Sequence, residues 1–168
     1  NDVAALELMR HLDVTWKCAN LIKQKPMEVM FQRNSMYKLE GDIQIDDAYQ
    51  GGEKSGKTGR GAGNKAPFIV AVQTRSGRPV FAHIRCVAGF TKKAIRAYAE
   101  RAIKAGSRVP SDALKCWKGF AEAGLEHMVK VTGGGRPRDS EFNWVNTLLG
   151  NVQSAIIGTC RSCNSQHL

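Results

Sequence analysis

The sequence predicts a mixed α/β fold, a five-stranded sheet flanked by helices and preceded by a small helical segment. Three observations carry this. Apolar residues alternate with period two around Ile43 and Ile45, and apolar runs follow at Phe68–Thr74 and Pro79–Val87. Apolar residues recur at helical spacing in 92–104 and 142–158. The order is three strands, a helix, a strand, a helix, a strand and a final helix, within a length of 168 residues that buries one ordinary core.

Residues 3–12 read as a short helix, and Asp13-Val14 as a turn that Asp tolerates in the left-handed conformation. Thr15 caps a second helix reaching about Gln24, and Pro26 is expected to end or kink it, with 27–37 resuming as a linker. The pair has helix-turn-helix spacing and sets off residues 1–38 as a DNA-contacting segment; a plain helical hairpin is the alternative. Ser76-Gly77 turns the second strand into the third. Thr91 caps the helix 92–104, whose stripe is Ile95, Tyr98, Ala99 and Ala102. A short strand, 108–112, ends in Asp112. A helix at 114–123, a strand at 126–132 and a helix at 142–158 follow. On that last helix Val145, Leu148, Leu149, Val152 and Ile156 face the core, and Asn151 sits at the edge of the stripe.

The formal net charge is +10. Residues 66–104 hold eight Lys and Arg against one Glu, so the excess is concentrated. A polyanion is the natural partner, nucleic acid first. Lys17 on the second helix, and Lys92, Lys93 and Arg96 on the basic helix, are candidates for the DNA backbone. A solvated face explains the basic helix equally well. Five scattered cysteines fit a reducing compartment, and no apolar run approaches a membrane span. The chain starts at Asn1, as a fragment or processed product would.

Gly51-Gly-Glu-Lys-Ser-Gly-Lys-Thr58 spells the phosphate-loop pattern. Such a loop must open directly into a helix, and Gly59 to Pro67, with three glycines and a proline, does not propose one. The segment reads better as a basic loop presenting Lys54, Lys57, Arg60 and Lys65 to phosphates, with Arg136 and Arg138 doing the same after Gly133–Gly135. Asp46 ends a strand beside it. Asp47 points to the opposite face and ranks second, and Glu141 is a fallback acid. Asp112 reads either as an acid of the same site or as a helix cap, and Asn151 as a site residue or a surface amide.

The element order is similar to the ribonuclease H-like pattern, with Asp46, Asp112 and Asn151 at its acid positions. The motifs Leu39–Glu53, Val109-Pro-Ser-Asp112, Gly133–Gly135 and Phe142–Val152 together resemble the ISXO-type insertion-sequence transposases, bacterial enzymes of the DDE superfamily. The resemblance covers nearly the whole chain, with 39–159 as the catalytic domain and 160–168 as an irregular tail. It implies cleavage of double-stranded DNA at element ends and strand transfer into a target. It also implies two Mg2+ ions, with Mn2+ as substitute, held by Asp46, Asp112 and Asn151. A homo-oligomer in the bacterial cytoplasm, at the nucleoid, goes with it. Two metals stabilise the attacking and leaving oxygens of phosphodiester transfer, so hard oxygen ligands are the right donors.

Departures accompany the likeness. Ala113 stands where the family commonly has Gly, and Gln153 where it commonly has Lys. Its upstream zinc ribbon is not within these residues, and the ending 158–168 reads as a truncation or shifted frame. Cys160, Cys163 and His167 have metal-like spacing without an evident fourth ligand. Three functions compete: a DDE transposase, inactive in this copy if these losses matter; a non-catalytic DNA-binding remnant; and a nucleotide hydrolase built on Lys57.

Overall fold

The computed structural model describes residues 3–50, 66–112, 114–130 and 142–160. The chain runs α1 (Ala5–Leu12), α2 (Trp16–Met36), β1 (Asp42–Gln50), β2 (Ala66–Arg75), β3 (Arg78–Cys86), α3 (Lys92–Ala102) and β4 (Arg108–Ser111). A 3-10 turn (Lys115–Lys118), α4 (Gly119–Glu122), β5 (Glu126–Val129) and α5 (Asn143–Cys160) complete it.

The strands form one sheet in the order β3-β2-β1-β4-β5. β1, β2 and β3 are an antiparallel meander, and β4 and β5 run parallel to β1 and to each other. This is the ribonuclease H-like arrangement. Ser76 and Gly77 have φ of 52° and 73°, the left-handed pair that a two-residue hairpin turn requires.

Both faces of the sheet are covered, which explains why β2 is apolar at nearly every position. Ile69 and Ala71 join Ile43, Ile45, Val109 and the α3 stripe on one face, together with Trp117 and Phe120. Phe68, Val70 and Val72 join Ala48 on the other, under Phe142 and Val145 of α5. The period-two rule therefore assigns Asp46, between Gln44 and Ala48, to the α5 face, and Asp47 to the opposite one.

Two local expectations are corrected. Helix α2 does not end near Pro26 but continues to Met36. Proline deletes one backbone hydrogen bond. The second half is nevertheless held by β3 and its flank: Tyr37 stacks on Phe81 at 4.0 Å, and Arg85 lies over Phe31 and donates to Ser35 Oγ. The continuous helix expected at 114–123 is instead a 3-10 turn followed by one α-helical turn. Asp13 does adopt the left-handed conformation, with φ 49°.

The start of α5 is fixed from the sheet. Gln44 Oε1 accepts from the backbone N–H groups of Trp144 and Val145, at 2.9 and 3.2 Å, so a strand side chain satisfies two of the helix's unpaired donors. Trp144 Nε1 donates to Gly77 O at 2.8 Å, latching the same helix start to the β2–β3 turn. Replacing Gln44 by Ala should lower stability by about 1–2 kcal/mol, as losing a helix cap does, in a urea titration followed by circular dichroism. Gly119 is the other tight point: a Cβ there would lie 2.6 Å from Lys92 O. Gly119→Ala should cost roughly 1–3 kcal/mol in the same measurement, through forced separation of α3 and α4.

Candidate active site

The parallel pairing at the centre of the sheet sets β1, which carries Asp46, beside β4, which Asp112 follows directly. Asp42 of β1 pairs with Arg108 of β4, and their side chains form an ion pair at 3.2 Å. Asp46 lies four residues beyond Asp42 and Asp112 four beyond Arg108, so continuing the register sets the two acids level. Asp112 follows β4 directly, whereas Asp46, expected to end its strand, stands in the middle of β1, because the ladder with β2 continues to the Gln50–Ala66 pair.

Asp46 is half-buried, and one of its oxygens, Oδ1, accepts from the Asp47 N–H at 2.9 Å. Asp112 is held more fully. Its Oδ1 accepts from the Leu114 N–H at 3.2 Å and from Trp117 Nε1 at 2.5 Å. The N-cap of the 3-10 turn is Leu114, without a side-chain cap bond, so the Asp112–Leu114 bond is a local i,i+2 turn contact; both bonds engage one oxygen, and no donor among the described residues reaches Oδ2. Ser111 is fully buried, donates to the Asp112 carbonyl at 3.2 Å and lies 2.7 Å from His127 Nε2. A hydroxyl both donates and accepts, so Ser111 can serve both partners, the histidine tautomer deciding which of Oγ and Nε2 donates. Burial pushes His127 below the usual histidine range, consistent with a neutral ring.

The third position is decided by which flank of α5 faces β4. The helix lies over β2 and β1, and Asn151 lines a groove with Trp144, Thr147 and Leu148 against Pro79–Ala82 of β3. That flank looks away from β4 in the strand order. Taking Val145, which is fully buried, as the inward direction, Asn151 lies about 120° to one side at about 100° per residue. Asn146 and Gln153 lie about 100° and 80° to the other side, the one toward β4 and Asp112. Asn151 thus lines the β3 groove, and Asn146, which the sequence reading passed over, stands on the opposite flank of α5. A helical wheel alone sets the two asparagines about equally far from the stripe centre. Only the anchoring of the helix start tells left from right.

Of the basic residues proposed to meet DNA, Lys17 and Lys93 are exposed. Lys92 forms an ion pair with Glu122, and Arg96 bonds Glu100 Oε1 through Nε at 2.8 Å, so two cations of α3 are engaged within the chain. Lys54, Lys57, Arg60, Lys65, Arg136 and Arg138 lie outside the described residues, as do Glu141, Cys163 and His167. The phosphate-loop pattern falls there too. Its flanks pair with each other, Gln50 with Ala66, and the next described element is the strand β2. Among the described residues no three His, Cys, Asp or Glu side chains cluster as a metal group. No helix among them is long and apolar enough to cross a membrane.

No curated protein matches the chain. The sequence model of the ISXO2-like transposase domain matches residues 38–168, from the residue before the central sheet's first bridge to the last residue. With that match, the strand order and the paired acids in view, the chain belongs to the ISXO2-like transposase domain family, whose work is DNA transposition.

Proposed function

We propose that the chain cuts DNA at insertion-sequence ends and transfers the strand, using divalent cations held by Asp46 and Asp112. The observation that supports this reading is the parallel β1–β4 pairing at Asp42–Arg108, with Asp46 four residues further along β1 and Asp112 four residues after Arg108. The donor set fits a hard cation: Asp46 is a carboxylate on a rigid strand, and among the described residues no donor takes Oδ2 of Asp112. Mg2+, or Mn2+ in its place, would supply charge stabilisation for the attacking and leaving oxygens. Asp46, on the central strand, and Asp112 would hold the ions, Asp46 being the candidate to be shared between them. Asn146 is the third member by its place on the β4 flank of α5, its neutral amide offering a weaker oxygen. Asn151, in the β3 groove, is the alternative the sequence suggested.

Double-stranded DNA is the substrate and target, and the exposed Lys17 and Lys93 are candidates to touch its phosphates. Action on paired ends implies a homo-oligomer, and residues 1–38 are the proposed DNA-contacting unit.

One observation favours a second reading. Gln153, on the flank facing the acids, is neutral where the family commonly carries Lys. A copy that has lost this cation can hold DNA without cutting it.

Nicking of supercoiled plasmid in Mg2+ or Mn2+ separates the two. Under the first reading the parent nicks, and Asp46→Ala and Asp112→Ala each lower the rate by roughly 100-fold or more. Under the second the parent does not nick, while DNA binding falls steeply with salt and ignores both changes. Asn146→Ala should lower nicking at least roughly tenfold and Asn151→Ala less than about twofold. The reverse order would return the third position to Asn151.

A further inference from the structure

Trp117 is an unusual choice for a residue that is fully buried. It stacks on Phe120 with centroids 5.1 Å apart and planes 10° from parallel, and Phe90 packs on it at 6.4 Å. Phenylalanine could fill an apolar site of this kind without bringing in a polar atom. The indole adds one N–H, a donor that neither titrates nor accepts, and burying it unpaired is costly. That N–H is spent on Asp112 Oδ1.

The contact belongs to a closed ring. Phe120 meets His127 edge-on at 5.7 Å, His127 bonds Ser111, and Ser111 bonds the Asp112 carbonyl. The acid is thus held at both its side chain and its backbone by groups that are themselves packed. Trp117 and the Leu114 N–H occupy the same oxygen, and among the described residues no donor takes the other. Outer partners that orient a ligand in this way contribute to metal affinity.

We infer that Trp117 is a positioning residue for Asp112: its indole N–H fixes the carboxylate so that Oδ2 is presented to a divalent cation. This rests on the reading of Asp112 as a metal ligand. It adds a residue that touches neither metal nor DNA.

The test is Mn2+ binding to the full chain, read by the electron paramagnetic resonance signal of free Mn2+. Trp117→Phe keeps the ring stack and removes the donor, and should weaken Mn2+ affinity by about tenfold. In an Asp112→Ala background the same change should have no further effect. A second readout needs no variant to fold: in the 15N-labelled parent, substoichiometric Mn2+ should broaden the Trp117 indole N–H resonance and spare that of Trp16. Undiminished binding in Trp117→Phe, with loss in Asp112→Ala, would overturn the positioning role and leave the metal site standing. Unchanged binding in Asp112→Ala, with an unbroadened Trp117 resonance, would overturn the metal reading itself. An equal loss from Trp117→Phe with and without Asp112 would make Trp117 a packing residue only.

Discussion

The parallel contact between β1 and β4 is the constraint on which the rest of the molecule depends. It is narrow: β4 has four residues, and the ladder to β1 is carried by the Asp42–Arg108 pair, extended by the Arg108 N–H on Gly41 O. The register is reinforced upstream, where Leu39 bridges Ile103 and exchanges backbone bonds with Ala102 and Lys104. A slip of one residue would turn Val109 out of the core and carry Asp112 to the other face, since side chains alternate. Burial of Val109, Ile43 and Ile45 on one face is therefore what keeps the two acids level. The apolar core and the charged site are two consequences of one register.

Much of this was legible in the residues, and the reasons for what was not are physical. Strand and helix order followed from periodicity, and Asp46 was separated from Asp47 because alternation is a property of the backbone. Asp112 was recognisable as an acid ending a short strand. Its indole partner was not, because Trp117 reads as plain core until a side-chain atom is placed. The side of α5 is a different matter. Asn146 and Asn151 sit at mirror-related edges of one stripe, and sequence period carries no sign. Gln44 held a clue: a polar residue on an otherwise apolar sheet face calls for a partner, and that partner is the start of α5. Pro26 shows the limit of local propensity, since contacts from Tyr37, Phe31 and Ser35 to β3 support a helix that its own sequence interrupts.

The two covered faces divide their duties. The α3 face is a tightly packed support, with Gly119 allowing close approach of backbones and an aromatic row running from Tyr49 through Phe90, Trp117 and Phe120 to His127. The α5 face holds the movable decision, because a helix rotated by one residue would exchange which side chain looks toward β4. Two hydrogen bonds donated to Gln44 Oε1 and one donated to Gly77 O fix that rotation at the helix start.

The ion pairs on α3 have a consequence for how the protein meets a polyanion. The formal surplus of the middle of the chain counts Lys92 and Arg96 as available, yet Glu122 and Glu100 already hold them. A cation that keeps its own carboxylate displaces fewer condensed counterions from a duplex than one that arrives bare. The number of ions released on binding will therefore be smaller than the charge count of the sequence suggests. Attraction over distance and grip at contact are then set by different residues of the same helix.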